Sequence, residues 1–388
     1  MNAEVAKGKA MQTPGCKSQA LSPTIRALLL PLAVIVLAVT WTLKPAWAQC
    51  LSAGEGNLRV MTYNVYEGAD LSVALGAQAF PQFLAAVTTI LNNVQASNPP
   101  ERAAAVARQI GEAQPTLLSL QEVTQWQTCP TVDFQTCATP PTLLFDLLQL
   151  IQDALQQQGH AYKLVWAQTT NNLTAPSSTG LIVFYTQRIA VLARADIDPN
   201  QLRLSNVQSA QFAASFTPTV LGSVLPVHRA WISADVKFHD TNFRFINTQL
   251  ESFDPNVNYD QGQELLSGPA NTSLPVIMAM DSNSKANTPP DATTPTYQNF
   301  MGCGFTDAWT AANPNDVGLT CCQDPLLRNA VSMVTERIDL ILVRGGVDVK
   351  AAHLFGGALA DRTPSGLWPS DHVAVAARLK AQSDEDQD

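Results

Sequence analysis

The sequence predicts an α/β (α+β) fold from three features. Apolar runs of strand length recur along the chain, at residues 58–65, 116–120, 274–280 and 337–343 among others. Stretches with one apolar face at helical spacing lie between several of them. The runs end in, or are interrupted by, Asn, Asp, Glu or His, side chains that are costly to bury unless they are paired or hold a ligand. With 46% apolar and 14% charged residues, the 388-residue chain can bury a large core in one big domain or two small ones, and it is neither disordered nor fibrous.

Lys7, Lys9, Lys17 and Arg26 precede the apolar run 27–43, and Ala46-Trp47-Ala48 supplies small residues at a cleavage position. Residues 1–48 therefore read as a signal peptide and residues 49–380 as the exported domain, secreted or periplasmic. The apolar run is also close to the short limit for a membrane span, so an uncleaved, membrane-anchored form is the alternative. Cys50 invites a lipoprotein reading, but Gln49 is too large and polar for the position before a lipidated cysteine. The leader carries five cations and Glu4, so its loss takes the net charge from −9 to −13. So acidic a domain disfavours loose binding to nucleic acid or anionic lipid, although a locally basic cleft stays compatible with it.

Cys16 leaves with the leader, and Cys50, Cys129, Cys137, Cys303, Cys321 and Cys322 remain. An even number in an exported protein reads as disulfides. The expected pairs are Cys129 with Cys137, closing a short loop, and Cys303 with Cys321 or Cys322. No Cys-x-x-Cys or histidine cluster supports zinc.

Residues 58–65 read as a strand, followed by the polar stretch Tyr66-Glu67-Gly68 and two helices. The second helix starts at Asn98-Pro99-Pro100, shows Ala103, Val106, Ala107 and Ile110 on one face, and stops at Pro115. Residues 116–120 form a strand buried on both faces that delivers Gln121-Glu122 at its end. A cysteine-bearing loop then leads to a helix over residues 143–157 and strands over 161–167 and 181–185. The Thr-, Asn- and Ser-rich residues 168–180 read as a substrate loop or a solvated connection. Residues 229–236 and 243–250 form a hairpin turned at 239–242. A helix to Leu266, the strand 274–280 ending in Asp281-Ser282-Asn283, a loop over 302–329 and the strand 337–343 follow. The last strand is fed by Ser370-Asp371-His372, and its pleat would send Asp371 and His372 to opposite sides. Residues 381–388 read as a disordered acidic tail.

Asn64, Glu122, Asn247, Asp281, Asn283, Asp339, Asp371 and His372 all end or interrupt apolar strands, and eight such residues argue for a shared site. Carboxylate and amide oxygens with one imidazole suit Mg2+, with Mn2+ or Ca2+ as alternatives, better than zinc.

Tyr63-Asn64-Val65, Leu120-Gln121-Glu122-Val123, Asn247-Thr248-Gln249-Leu250, Met280-Asp281-Ser282-Asn283-Ser284, Arg337-Ile338-Asp339 and Ser370-Asp371-His372 occur in this order over residues 57–380. Together they resemble the endonuclease/exonuclease/phosphatase superfamily, which includes pancreatic deoxyribonuclease, AP endonucleases, neutral sphingomyelinases and inositol polyphosphate 5-phosphatases. The resemblance implies a four-layer sandwich, two mixed β-sheets packed face to face with helices outside. It also implies a magnesium-dependent phosphoric ester hydrolase, more nuclease-like or sphingomyelinase-like than monoesterase. By the same resemblance Glu122, Asn64 and Asp371 would bind the metal. His372 would be the general base, oriented by Asp339. Asp281, Asn283, Asn247 and Gln249 would complete the catalytic set, and Arg229 and Asn283 would hold the phosphate.

Two positions depart from the family pattern. Gln249 stands where the family has histidine, which removes charge assistance worth about 2 kcal/mol; the AP endonuclease branch has asparagine there. Met280 stands where the family has glycine, and is expected to alter the backbone room at Asp281. A non-catalytic binding protein on the same fold is the competing reading.

The expected partner is a phosphate-ester substrate, nucleic acid or a phospholipid head group; no protein partner is expected, and the chain reads as a monomer. No lysine or arginine cluster builds a nucleic-acid groove, and no apolar membrane hairpin is evident. Leu354-Phe355-Gly356-Gly357 and Gly366-Leu367-Trp368 are the apolar segments expected near the site, with ordinary loop packing as their alternative.

Overall fold

The structure is a computed structural model that describes residues 57–286 and 294–381. The expected signal peptide, its anchor alternative, Cys50 and tail residues 382–388 lie outside the described residues. Among the described residues no helix is long and apolar enough to cross a membrane.

The chain begins with β1 (Leu58–Asn64), α1 (Ser72–Leu75), α2 (Phe80–Ala96), α3 (Pro99–Ala113), β2 (Leu117–Gln121), β3 (Gln125–Pro130), β4 (Thr142–Asp146) and α4 (Leu147–Gln157). The middle part contributes β5 (Tyr162–Pro176), β6 (Leu181–Arg194), β7 (Leu202–Gln211), β8 (Thr219–Val220), β9 (Ser223–Val224), β10 (Ala230–Phe238), β11 (Thr241–Gln249) and α5 (Pro255–Ser267). It closes with β12 (Val276–Asp281), α6 (Pro295–Gly302), β13 (Thr306–Asp307), α7 (Ala308–Ala312), β14 (Asp339–Arg344), β15 (Val347–Phe355) and β16 (Ala374–Ala381).

Eight strands form one mixed sheet in the order β15-β16-β1-β2-β6-β3-β4, with β5 along the other edge of β6. Six form a second in the order β13-β14-β12-β11-β10-β7. Each sheet has one central parallel pair, β1 with β2 and β11 with β12, among antiparallel neighbours.

Strand alternation builds the layers. Val60, Leu117, Val191, Phe243, Phe245, Ile277, Ile341 and Val375 form the core between the sheets. Alternate residues Met61, Tyr63, Leu118 and Leu120 face outward against Ala103, Val106 and Ile110 of α3 and Ile151 of α4. On the other sheet Ile246, Met278, Met280 and Leu342 pack outward against Leu265 of α5 and Phe300 of α6. The result is the expected four-layer sandwich.

The helices start and stop where local chemistry directs. α3 opens at its two prolines and ends at Gln114 in the left-handed conformation before Pro115, while Asp146 and Asp254 cap α4 and α5 through backbone amides.

Several expectations are corrected. Residues 143–146 belong to β4, which pairs with β3, and α4 begins only after its cap at Asp146; the expected cysteine-bearing loop contains strand β3. Residues 168–176 extend β5 and pair with β6 to Pro176. Strand β16 continues to Ala381, one residue into the expected tail. Cys129 pairs with Cys137 as expected, but Cys321 pairs with its neighbour Cys322 and leaves Cys303 free and exposed, since Cys303 follows α6 at the surface.

Candidate active site

The inward-facing rows turn polar together at one end of the sandwich. After Leu58 and Val60 comes Asn64 on β1; after Phe243 and Phe245 come Asn247 and Gln249 on β11; after Ile277 and Ala279 comes Asp281 on β12. Register aligns these ends, because Asn64 lies opposite Gln121, Gln249 opposite Asp281, and Asp281 opposite Asp339. Glu122 follows β2 with φ +58°, a left-handed turn.

Asn64 Nδ2 donates to Glu122 Oε1 and Asp281 Oδ2, both at 2.9 Å, while its Oδ1 accepts from the Tyr66 amide at 3.0 Å. Gln249 Nε2 donates to the same two acids, at 2.7 Å to Glu122 Oε1 and 3.2 Å to Asp281 Oδ2. Two neutral amides thus hold Glu122 and Asp281 together. The Asn283 amide N–H donates to Asp281 Oδ1 at 3.1 Å, and its Nδ2 donates to Leu250 O at 2.8 Å.

His372 Nδ1 lies 2.8 Å from Asp339 Oδ2, and Nε2 lies 4.0 Å from Asp371 Oδ1. Ser370 fixes this segment: its hydroxyl donates to Asn64 O at 2.7 Å and accepts the His372 amide at 3.1 Å. The expectation that Asp371 and His372 point to opposite sides of a pleat is corrected. Regular pairing of β16 starts only at Ala374, and both side chains line one cavity.

That cavity has a volume of about 280 Å3 and is bordered by Glu122, Gln249, Asp281, Asn283, Asp371 and His372. Burial raises the Asp281 carboxyl to about 6, assisted by the Asp339 charge. Burial also raises Asp371 to about 7 against the lowering influence of His372, with Glu122 adding to the rise. For His372, burial disfavours the charged ring, but Asp339 and Asp371 override it and hold the imidazole well above its ordinary value.

The donor set is the oxygen-rich one of a hard divalent cation. One ligand atom each from Asp281, Asp339 and His372 lies within 4.8 Å of the others, and the buried Gln249 Oε1 and Asp339 Oδ1 have no hydrogen-bond partner. That cluster and its orphaned oxygens fit a hard divalent cation at Asp281, Asp339 and His372, with Glu122 and Asp371 lining the same cavity. Asn64 is placed differently from expectation: it turns Nδ2, not its oxygen, to the acids and orients them as a donor.

Other residues also differ from expectation. Asn247 is fully buried and bonds Gln121 Nε2 at 2.8 Å, Ala190 O at 2.7 Å and Leu120 O at 3.2 Å, so it ties the two sheets together behind the cavity. Met280 faces the outer helical layer, leaving the inner face to Asp281. Trp368 and Leu367 are buried against Tyr66 and Leu327, and Phe355 lies under α3, so neither apolar segment lines the cavity. Arg229 does line it, with Nε 3.3 Å from Glu251 Oε2 and Nη2 donating to Ser252 Oγ at 3.2 Å.

Sequence reasoning missed Glu67, Tyr185, Gln187 and Arg102. The Glu67 amide donates to Glu122 Oε2 at 3.0 Å, and its carboxyl accepts from the Tyr185 hydroxyl and from Gln187 Nε2. Burial and the nearby Glu122 charge push that carboxyl well above its ordinary value. Arg102, on the apolar face of α3, donates to Val65 O, Tyr66 O, Ser97 O and Pro369 O, joining the loop after β1 to the segment before His372. Its spacing with Ala103, Val106 and Ile110 was the available signal.

No family model matches the sequence, and no curated protein matches it. Solved structures do match. An endonuclease/exonuclease/phosphatase family protein from Bacteroides thetaiotaomicron superposes over 85% of this chain and all of its own, with TM-score 0.52 and 17% identity. The endonuclease/exonuclease/phosphatase from Bacteroides vulgatus gives 0.51 and 16% identity over 84% of this chain and all of its own. A family protein from Leptotrichia buccalis gives 0.50 and 16% identity over 83% and 99%. The chain therefore has the endonuclease/exonuclease/phosphatase fold.

Proposed function

We propose that this protein is an exported, metal-dependent phosphoesterase that hydrolyses a phosphodiester by in-line attack of water. The observation that carries the reading is the His372–Asp339 pair facing Glu122, Asp281 and Asp371 across one cavity. A divalent cation, Mg2+ by ligand type, would be held by Glu122 and Asp371 with Asp281 beside them, and would supply charge stabilisation at the phosphoryl oxygens. His372, its Nδ1 held by Asp339, would take the proton of the attacking water in its neutral form, which the charge of a bound cation favours over the protonated ring. Asn64 and Gln249 keep the acids in register. Asn283, anchored at Leu250 O, and Arg229 stand where phosphate oxygens would meet donors.

The test is hydrolysis of bis-p-nitrophenyl phosphate and p-nitrophenyl phosphate by the purified protein with and without Mg2+, beside His372→Ala and Glu122→Ala. Metal-dependent turnover that collapses in both variants, with the diester preferred, is the expected result. An inactive parent, or variants that match it, would instead make the fold a binding scaffold.

A further inference from the structure

A second cavity, of about 430 Å3, opens beside the catalytic one. Leu71, Leu75, Leu173, Tyr185 and Leu225 border both, so the two share a wall. Tyr185 divides them by chemistry. Its hydroxyl donates to Glu67 on the catalytic side, and its ring lies 4.7 Å from that of Trp126 on the other. No charged side chain lines the second cavity; Phe83, Val87, Ile90, Trp126 and Val183 form its floor.

The β8–β9 ribbon overhangs it. Leu221 and Gly222 at the turn both have positive φ, the backbone of a tight two-residue hairpin. Leu221 is 40% and Val224 67% exposed, yet both border the cavity. This is the exposed apolar hairpin that the sequence did not make evident.

We propose that this groove seats a hydrocarbon chain, so that the substrate is a phosphate ester carrying an alkyl substituent, as in a lipid-like phosphodiester; the inference rests on the phosphoesterase reading. A long apolar wall with few polar groups and continuity with the phosphate site matches an amphiphile. A nucleobase buried there would find only Asn172, Thr174 and Ser223 to pair its edge donors and acceptors, and each one left unpaired costs about 1–3 kcal/mol.

The test compares p-nitrophenyl alkyl phosphates from methyl to octyl, below their aggregation limit, with the p-nitrophenyl ester of thymidine 5′-phosphate. Hydrolysis adds water across the P–O bond and releases p-nitrophenol and the alkyl phosphate. Full burial gives about fourfold in affinity per methylene, so kcat/KM is expected to rise at least about tenfold from methyl to octyl. The octyl-to-methyl ratio is expected to fall towards one in Val224→Asp, an exposed position that a charge does not unfold. Calorimetry with octyl phosphate and methyl phosphate gives a readout independent of turnover. Turnover without a chain-length gradient, a gradient that survives Val224→Asp, or preference for the thymidine ester overturns the groove and leaves the hydrolase reading intact. Chain-length-dependent binding without any turnover keeps the groove and removes the hydrolase reading. Neither turnover nor a binding preference overturns both.

Discussion

Gln249 and Asp281 face each other across the parallel pair of β11 and β12, and the Gln249 amide bridges from Asp281 Oδ2 to Glu122 Oε1. A neutral donor therefore holds two acids side by side where the family pattern places a histidine. Gln249→Ala removes both hydrogen bonds and lets the carboxylates separate. The rate is expected to fall roughly 10- to 100-fold with little change in KM, while Gln249→His keeps a donor and retains most of the rate. Steady-state kinetics on bis-p-nitrophenyl phosphate decides; equal loss in the two variants would show that the amide is not acting as a donor.

In the proposed mechanism Asp339 acts through His372. The 2.8 Å contact to Nδ1 fixes which nitrogen faces the cavity, and Asp339→Asn keeps the shape while losing the charge. The expected loss in kcat is two to four orders of magnitude, roughly, with melting temperature nearly unchanged. The acid limb of the pH profile should also move to lower pH, since Asp339 is the strongest influence raising the imidazole. An unchanged limb would separate Asp339 from the histidine.

Much of this site is legible in the chain because β2, β12 and β14 are nearly all-apolar, so each polar residue at their ends stands out against a buried row, and β1 ends in Asn64 beside them. The parity of a strand then decides its neighbours: Met280 reads as an intrusion beside Asp281, yet alternation sends it to the opposite face. What stayed hidden depends on pairing or helical phase. β15 and β7 become strands through β16 and β10, and β3 acquires its register from β6. Glu67 follows a strand in a stretch of ordinary polar loop, and only folding brings Tyr185 and Gln187 to it. Cys303 could not be paired from spacing, because adjacency of Cys321 and Cys322 competes with any longer loop.

Asp371 couples stability to pH. Its native carboxyl titrates near 7 and an unfolded aspartate near 3.9, so between those values the native state holds a proton that the unfolded state has lost. Its contribution to stability therefore falls as pH rises from about 4 to about 7 and is constant above. In metal-free protein, Asp371→Asn should gain on the parent across that window and hold the gain at pH 8. Adding Mg2+ should reverse the order at pH 8 by stabilising the parent alone. Denaturant titrations of both proteins at pH 5 and 8 measure it, and a difference independent of pH would mean the carboxyl is ionised throughout.

Arg102 is 1% exposed and satisfies four backbone carbonyls, at Val65, Tyr66, Ser97 and Pro369. The guanidinium fork reaches both the loop that carries Glu67 and the segment that carries Asp371 and His372, which the single nitrogen of an ammonium cannot do in the same geometry. Arg102→Met fills the space but leaves those carbonyls buried and unpaired, at about 1–3 kcal/mol for each that water does not reach. The variant is expected to be destabilised by roughly 3–5 kcal/mol. Its residual activity at a temperature where it is fully folded should still be reduced at least about tenfold, through a lower kcat, because the two loops no longer share an anchor. Arg102→Lys should recover part of the stability and less of the rate. If the folded Arg102→Met protein turned over at the parent rate, the residue would be a structural strut alone, with no part in placing His372.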